Sequence, residues 1–311
     1  MIILGYDVGG TKVSAIIGNE NGEIIDSIKR KTTKQYGKNG LSQQLIDMGE
    51  ELLSRNKLNK PDMIGIIFAG IVDSKSGLIV SSPNILGLKN YNITEGLEKH
   101  FGVTVRLEND ASASTIAEKI FGGAKKYNNF VYITLSTGIG GGIFINGKLY
   151  RGSHGMAGEI GHMVMVANGP ICGCGRRGCF ETLAGGNGIR ARVLEDVHGL
   201  NDSTILSKLR PEFINAKAVF DAKKEGDMLA QLIVEETIYY LAVGIVNIIN
   251  ILDPEAIFIG GGISKEGEDL FTPLKMAVDE EMKSLKRDVK IYQALENGPD
   301  LASIAICLYK Y

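Results

Sequence analysis

The chain has 311 residues, of which 44% are hydrophobic and 23% charged, and its formal net charge at pH 7 is −2. Such a composition is ordinary for a globular protein, and the length favours two lobes over one core. The charge offers no broad basic surface for a phosphate backbone, so we expect no nucleic-acid partner. The apolar N-terminus is too short for a signal peptide or membrane helix, and Asn247 and Asn250 interrupt the later apolar run. We therefore expect a cytoplasmic protein that does not enter the membrane.

The first third of the chain alternates between β-rich runs and helical spacing. Glycine pairs separate the first runs, which predicts a meander of three strands with tight turns. Helices then alternate with single buried strands. The predicted strands are 2–6, 12–17, 23–29, 63–68 and 103–107, and the predicted helices are 41–53 and 111–121.

The remainder of the chain repeats this pattern in kind. Strands are predicted at 130–135, 142–145, 256–259 and 289–292, and helices over most of 189–250, at 269–285 and at 301–309. Two blocks that each open with strands around a glycine turn predict two α/β lobes with a cleft between them. We place a small lobe at 1–108, joined by a C-terminal helix at 299–311, and a large lobe at 109–298. The polar segment 189–228 receives no role.

Three glycine turns follow predicted strands and can bind phosphate. Glycine lets the backbone approach an anion closely and point its N–H groups at it. Asp7 can hold a water bound to Mg²⁺, Thr11 can add a hydroxyl and Lys12 a charge. An isolated turn of this kind is more often a plain hairpin, and neither the Walker A nor the Rossmann pattern fits. The turns contain Gly9 and Gly10, then Thr137 and Gly138, then Gly261.

A cysteine cluster lies near a histidine in the order His162, Cys172, Cys174 and Cys179. One imidazole and three thiolates complete a closed tetrahedral zinc site, which would be structural because no position stays open. The alternative is a disulfide with one buried thiol. The fourth cysteine, Cys307, is expected to be a core thiol.

Carboxylates occur at two places that suit a polyol substrate. Asn109 and Asp110 follow a strand and start a helix, where Asp110 can act as a general base and Asn109 can bind hydroxyls through its donor and its acceptor. A helix N-cap explains the same pair and is the better reading of the pattern alone. Glu159 and Glu181 flank the cysteine cluster, either as sugar ligands or as solvated surface groups.

Taken together, these motifs resemble the ROK family of sugar kinases and sugar-responsive regulators. The matching segments span nearly the whole chain in the expected order, and the cysteine segment is the most specific. They are 7–12, 108–110, 135–142, 158–162, 172–181 and 260–262.

The resemblance implies an actin/hexokinase-like fold, with two ribonuclease-H-like lobes around a cleft. It implies that the turns at 7–12 and 137–138 face the phosphates of ATP and that Gly261 lies near the adenosine. The implied cofactors are ATP, Mg²⁺ and structural Zn²⁺. The family is often dimeric or tetrameric, so a homo-oligomer is expected.

The sugar site implied by the family gives Asp110 the role of base, against the N-cap reading. His162 would give one nitrogen to zinc and the other to a sugar hydroxyl, because a metal fixes the imidazole tautomer. The loop at Gly70 and the stretch with Asn84 would help to shape the pocket. The residues implied to contact the sugar are Gly70, Asn84, Asn109, Asp110, Glu159, His162 and Glu181.

The implied function is an ATP-dependent hexose kinase that phosphorylates the 6-hydroxyl, with glucose favoured. Glucokinase-like members often carry Pro-Gly-Pro-Val where this chain has Ala69-Gly70-Ile71-Val72. N-acetylmannosamine and N-acetylglucosamine therefore stay open as substrates. A sugar-sensing regulator is the rival from another class. Regulators carry a helix-turn-helix domain before the core, and because six residues precede Asp7 we expect no such domain.

Overall fold

The computed structural model describes residues 1–33, 37–82, 85, 88–200, 204–284 and 287–310, without the side chains of 37–39 and 198–200. This part of the chain forms two compact units. Unit 1 comprises 1–128, 142–157 and 295–311, and unit 2 comprises 129–141 and 158–294. The lobe boundaries predicted from the sequence stay a prediction.

Thirteen strands lie in the described residues. They are β1 (Ile2–Val8), β2 (Lys12–Asn19), β3 (Ile24–Lys31), β4 (Met63–Phe68), β5 (Ile71–Asp73), β6 (Leu78–Ser81), β7 (Lys89–Asn92), β8 (Val105–Asn109), β9 (Phe130–Leu135), β10 (Ile139–Ile145), β11 (Lys148–Leu149), β12 (Ala256–Gly260) and β13 (Lys290–Gln293). Each strand predicted from the sequence is present within a few residues of its predicted ends.

Nine α-helices lie in the same described ranges. They are α1 (Gly37–Arg55), α2 (Thr94–Phe101), α3 (Asp110–Ile120), α4 (Phe180–Ala184), α5 (Gly186–Leu200), α6 (Ala216–Lys224), α7 (Met228–Leu252), α8 (Glu268–Glu281) and α9 (Gly298–Leu308). The predicted α/β class is confirmed. The sequence analysis missed α2 and the small antiparallel sheet β5-β6-β7, whose strands are three or four residues long and too short to show a period.

The main sheet of unit 1 has the order β3-β2-β1-β4-β8. Strands β1 to β3 form an antiparallel meander, whereas β4 is parallel to both β1 and β8. Alternate side chains of β1 enter different clusters: Leu4 and Tyr6 pack with α1, and Ile3 packs with α9. The Tyr6 hydroxyl donates to the Leu45 carbonyl at 2.6 Å. Helices therefore cover both faces of this sheet.

The second five-stranded sheet has the order β11-β10-β9-β12-β13, in which β9, β12 and β13 are parallel. The core of unit 2 lies between these strands and the helices α4 to α8. Helix α7 is long and apolar enough to cross a membrane, but 61% of its most apolar window is buried inside the protein. The apolar run that Asn247 and Asn250 interrupt thus lies in the second half of α7.

Close packing of α9 on the main sheet predicts a sharp cost for a methyl group at Gly65. A Cβ there would lie 1.9 Å from the Ser303 carbonyl oxygen of α9. We expect Gly65→Ala to lower the free energy of unfolding by about 1–3 kcal/mol, because a packed interface accommodates added volume poorly. Urea denaturation followed by far-UV circular dichroism measures the change.

The matched control is Gly96→Ala in α2. A Cβ at that exposed position meets nothing closer than Ser42 Oγ at 3.7 Å. Alanine should stabilise this helix by up to about 1 kcal/mol because it has the higher helix propensity. Equal stability changes in the two variants would contradict the proposed steric cause.

Candidate active site and metal centre

The parallel strands β1, β4 and β8 place several candidate residues at one edge of the unit 1 sheet. Val8 pairs with Phe68, and Phe68 pairs with Asn109, so the three strands end level. The Asn109 Nδ2 donates to the Gly70 carbonyl at 3.2 Å across this edge. Asp7, Gly70, Asn109 and Asp110 are thus neighbours, as is usual for functional residues at the carboxyl ends of parallel strands.

The turn between β1 and β2 presents backbone donors at this edge. The Gly9 N–H donates to the Lys12 carbonyl at 3.0 Å, and the Thr32 hydroxyl donates to the Gly9 carbonyl at 2.6 Å. Within the described residues, the N–H groups of Gly10 and Thr11 donate no hydrogen bond. Converging backbone N–H groups of this kind can bind an anion.

The N-cap of α3 is Asn109 and not Asp110. The Asn109 Oδ1 accepts from the N–H groups of Ala111 at 3.0 Å and Ser112 at 3.2 Å. An amide oxygen has two lone pairs, and these two hydrogen bonds use both of them. Asn109 Oδ1 is therefore not available to accept from a sugar hydroxyl, the role that the sequence analysis predicted for it. The amide nitrogen of Asn109 donates to the Gly70 carbonyl and also makes a side-chain hydrogen bond to the Asp110 carboxylate, which lowers the pKa of Asp110.

Asp110 is the first residue of α3, and its carboxylate is poised to accept a proton. It is exposed at the surface, yet loss of surrounding water raises its pKa above the ordinary value. The Ala111 N–H, which donates to Oδ1 at 3.0 Å, opposes this rise. Burial, and next the nearby charge of Asp110, raise the pKa of Asp7 to about 6, while Lys12 lowers it. Two acidic groups therefore share the same edge of the sheet.

The turn after β9 carries the candidate phosphate residues of unit 2. The Ser136 N–H donates to the Gly138 carbonyl at 3.0 Å, and the Asn187 N–H at the start of α5 donates to the Thr137 carbonyl at 2.8 Å. A Cβ on Gly138 would lie 2.4 Å from Glu181 Oε2. This turn therefore lies directly against Glu181, one of the candidate sugar ligands.

Gly261 lies at the end of β12, beside the same turn of unit 2. Its φ is +94°, and a Cβ would lie 2.3 Å from the Leu135 carbonyl oxygen. Only glycine combines this backbone conformation with so close an approach to β9. The Gly261 carbonyl accepts from Ser264 Oγ at 2.8 Å.

A cavity of about 380 Å³ opens beside these two turns. Three of its polar lining side chains, Arg190, Asn215 and Lys217, come from the segment to which the sequence analysis gave no role. Asn215 caps α6 by accepting from the Ala218 N–H at 3.0 Å. An Asn before an apolar helical pattern was visible in the sequence, but nothing there placed it beside a glycine turn 78 residues earlier.

The four candidate metal ligands come together in unit 2. The ligating atoms of His162, Cys172, Cys174 and Cys179 all lie within 4.8 Å of one another. The Cys174 and Cys179 sulfurs are 3.7 Å apart, and Cys172 Sγ is 3.6 Å from His162 Nδ1. Tetrahedral zinc with Zn–S bonds of about 2.3 Å needs sulfurs about 3.8 Å apart, so the spacing fits. None of the four cysteines forms a disulfide, against the alternative reading.

Tight turns between these ligands are built from glycine. Gly178 has φ +70°, and a Cβ there would lie 1.7 Å from the Val166 carbonyl oxygen. The Cys172 N–H donates to the Arg176 carbonyl at 2.8 Å, which closes the knuckle. Burial raises the pKa of the Cys172 thiol, so its ionisation would need the positive charge that a metal supplies.

His162 turns its two nitrogens to different neighbours. Its Nδ1 faces the cysteines and lies 3.6 Å from Glu181 Oε1, whereas its Nε2 lies 3.8 Å from Glu159 Oε2. The Glu181 Oε1 also accepts from Cys172 Sγ at 3.0 Å. Glu159, His162 and Glu181 therefore form one group around the candidate metal centre. Asn84, also predicted to shape the sugar pocket, lies outside the described residues.

Comparison with known proteins gives the family. The ROK family model matches residues 3–296, which is most of the chain. The chain belongs to the ROK family. The resemblance seen in the motifs is therefore confirmed, and so is the actin/hexokinase-like fold, because the ROK sugar kinases of known structure superpose on this chain.

The relatives of this chain include proteins that are named as kinases. The chain is 37% identical over 278 residues to a glucokinase of Thermotoga maritima, covering 89% of this chain and 86% of that one. It is 34% identical over 263 residues to an N-acetylmannosamine kinase of Haemophilus influenzae, covering 85% and 81%.

Solved ROK structures include both enzymes and a regulator. A glucokinase from Streptomyces griseus in complex with glucose and AMPPNP gives a TM-score of 0.82 at 28% identity, covering 98% of each chain. A ROK family transcriptional regulator, homologous to the E. coli MLC protein, gives 0.88 at 26% identity, covering 98% of this chain and 77% of that one.

The raised pKa of Asp7 predicts that Asp7→Asn stabilises the protein at neutral pH. The folded chain binds the Asp7 proton more tightly than the unfolded chain, so the ionised carboxylate destabilises the fold above about pH 6. A shift from 3.8 to about 6 corresponds to at most about 3 kcal/mol. The gain should shrink as the pH falls through 6 and vanish below 3.8.

Urea unfolding of the ligand-free protein at pH 7.5 and pH 5 measures this gain, with Asp47→Asn on exposed α1 surface as the control. The control removes a charge without removing a buried carboxylate, so its effect should not depend on pH in this way. An Asp7→Asn gain that is equal at both pH values would refute the explanation.

Proposed function

We propose that this ROK protein is an ATP-dependent hexose kinase that transfers the γ-phosphoryl group to the 6-hydroxyl of a sugar, with glucose as its substrate. The observation that carries the proposal is the edge of the unit 1 sheet. There a desolvated carboxylate, Asp110, lies beside Asp7 and a turn whose Gly10 and Thr11 N–H groups can bind phosphate. Phosphoryl transfer to a hydroxyl needs a base that accepts the hydroxyl proton and a site that positions the phosphates.

Asp110 acts as the general base in this proposal. Its carboxylate accepts the proton of the 6-hydroxyl as that oxygen attacks the γ-phosphorus, and the bond to the β-phosphate oxygen breaks in line. A raised pKa makes Asp110 a stronger base than an ordinary aspartate, while the Ala111 N–H keeps its orientation fixed. Asn109 is proposed to bind a neighbouring sugar hydroxyl by exchanging one of its present amide hydrogen bonds for one to the sugar.

The nucleotide is assigned to the glycine turns. Asp7, Gly9, Gly10, Thr11 and Lys12 in unit 1 are proposed to meet its phosphates, and so are Thr137 and Gly138 in unit 2. Gly261 and the cavity with Arg190 and Lys217 are proposed to hold the adenosine end. Mg²⁺ would be held through Asp7, whose carboxylate supplies a hard oxygen ligand, and would neutralise developing phosphate charge.

The sugar ring is proposed to rest on the group around the candidate metal centre. Glu159, His162 and Glu181 offer acceptors and an N–H within a few ångströms of one another. Zinc on the cysteines and on His162 Nδ1 would leave Nε2 as a donor to a sugar hydroxyl. Gly70 and Asn84 are proposed to complete the pocket. The zinc is structural, since four protein ligands close its coordination.

Glucose is favoured over the 2-acetamido sugars because the glucokinase of Thermotoga maritima is more similar to this chain than the N-acetylmannosamine kinase of Haemophilus influenzae. N-acetylmannosamine and N-acetylglucosamine are the alternative substrates. We also propose that the protein works in the cytoplasm and as a homo-oligomer, either a dimer or a tetramer, as the family resemblance implies.

A sugar-sensing regulator is the second candidate function. It is supported by the TM-score of 0.88 with the ROK transcriptional regulator. A regulator of this kind would bind sugar without turnover. Measurement of turnover and binding on the same sample therefore separates the two functions.

We expect steady release of ADP when the purified protein is given ATP, Mg²⁺ and glucose. The panel should also contain mannose, fructose, N-acetylglucosamine and N-acetylmannosamine, since the largest kcat/KM names the substrate. Asp110→Asn should bind the same sugar and lose about 100- to 10,000-fold in kcat, the range typical of a lost general base. Sugar binding without turnover by the unaltered protein would instead support the regulator.

We expect one zinc ion per chain after purification without chelators. Cys174→Ser should lose the ion and lower the thermal midpoint by about 5–10 °C, because metal binding adds to folding free energy. Cys174 is exposed, so the serine itself should perturb packing little. The control is Cys307→Ser in α9, which removes a thiol outside the cluster and should keep its zinc. Full zinc content in Cys174→Ser would argue against the proposed ligand set.

A further inference from the structure

A buried carboxylate that takes no part in the proposed chemistry lies one residue before Asn109. Glu108 is the next-to-last residue of β8 and has 2% of its surface exposed. A buried charge is costly unless it is paired and hydrogen bonded. The cost of burying the Glu108 carboxylate must therefore be offset by its hydrogen bonds and its ion pair.

Each oxygen of Glu108 is fully engaged. Oε1 accepts from the Ser74 hydroxyl at 2.8 Å and from the Asn109 N–H at 3.2 Å. Oε2 accepts from Arg151 Nε at 3.2 Å and also from Arg151 Nη2. The Arg151 guanidinium thus donates to Oε2 through two N–H groups, while Oε1 accepts from the backbone N–H of Asn109, the residue before Asp110.

These contacts join three segments of unit 1. Ser74 lies in the turn between β5 and β6, and Arg151 lies just after β11, where its carbonyl accepts from the Ala157 N–H at 3.0 Å. All three side chains line a cavity of about 420 Å³ beside the end of β8. The Glu108 carboxylate consequently connects the start of α3 to the segment of Ser74 and to the segment of Arg151.

We propose that Glu108 is a positioning residue that, with Arg151 and Ser74, sets the location of Asn109 and Asp110. The proposal rests on the hexose kinase function proposed above. Glu108 binds the Asn109 backbone directly, Asn109 caps α3, and Asp110 is the first residue of that helix. A shift at Glu108 is thereby passed to the base, and a displacement of about 1 Å can cost about 100-fold in rate.

Glutamine at position 108 keeps the shape but cannot keep the contacts. Its single carbonyl oxygen can accept from Arg151 or from the Asn109 N–H, and its NH₂ group then faces a donor on the other side. Arg151 also loses its ion pair with Glu108. The junction between β8 and α3 must therefore rearrange.

Glu118 supplies a matched control. It is also 2% exposed, and its oxygens accept from the Gly123 N–H at 2.7 Å and the Leu295 N–H at 2.8 Å. It lies on α3 about 12 Å along the helix axis from Asp110. Glu118→Gln thus removes an equally buried carboxylate without touching the junction.

We expect Glu108→Gln to lower kcat about 10- to 100-fold and to raise the KM for the sugar, because Asn109 and Asp110 move together. The KM for ATP should stay within about twofold of the unaltered protein, since the hydrogen bonds of Glu108 described above go to Ser74, Asn109 and Arg151 and to neither phosphate turn. Glu118→Gln should keep both kinetic constants for the sugar even if it melts earlier. Equal kinetic losses in the two variants would overturn the positioning role.

A second pair of variants, with smaller changes, tests the proposal even if Glu108→Gln misfolds. Ser74→Ala removes one hydrogen bond to Glu108 and leaves the ion pair, and should show the same kinetic pattern to a smaller degree. Ser76→Ala in the same turn removes a hydrogen bond to Asp73 Oδ2 instead and should leave the kinetics unchanged. Matching kinetics in Ser74→Ala and Ser76→Ala would count against the proposal.

Amide hydrogen exchange tests the positioning without any substrate. In Glu108→Gln and Ser74→Ala, peptides covering 105–116 should exchange faster, whereas in Glu118→Gln the faster exchange should fall on 119–128. If the unaltered protein phosphorylates no sugar, the kinase proposal fails while this exchange pattern still stands. Unchanged exchange at 105–116 in Glu108→Gln would overturn the positioning role whatever the activity.

Discussion

Parallel pairing of β4 with both β1 and β8 is the constraint on which the unit 1 site depends. Because the register ends the three strands level, Val8, Phe68 and Asn109, which are far apart in sequence, meet at one edge. Beyond the strand ends, backbone N–H and C=O groups no longer hydrogen bond to a neighbouring strand. Among the described residues, two N–H groups of the turn after β1 donate no hydrogen bond, and the end of β8 passes directly into the cap of α3. Asp110 owes its place to this geometry.

In unit 2, candidate site residues that are apart in sequence come together at a cluster of cysteines instead of at a network of carboxylates. The segment between β11 and α4 has little regular structure of its own, so its shape must come from its turns and from the cluster of three thiols and an imidazole. Glycines at positive φ let the chain fold tightly between those ligands. Glu159, His162 and Glu181 are gathered as a result, although 22 residues separate the first from the last.

Two carboxylates of unit 1 carry the energetic cost of burial to different degrees. Burial raises the pKa of Asp7 to about 6, which means that the folded chain tolerates its negative charge poorly. Glu108 is buried more deeply but is satisfied by Ser74, Arg151 and a backbone N–H. The contrast is one of hydrogen bonding: the charge of Glu108 is balanced by its partners, whereas the charge of Asp7 is disfavoured in the folded chain.

The sequence by itself determined the class of fold, the main strands and helices, and the family, and it predicted which four side chains lie together as candidate metal ligands. These depend on local signals: hydrophobic period, glycine turns and ligand spacing, all of which are carried by neighbouring residues. Only the tertiary structure decided that Asn109 caps α3 and so spends its acceptor, that Arg190 and Lys217 line a cavity beside Thr137, and that Glu108 joins Arg151. Such pairings arise from contacts between distant segments, and no local pattern encodes which side chain a folded chain will bring into reach.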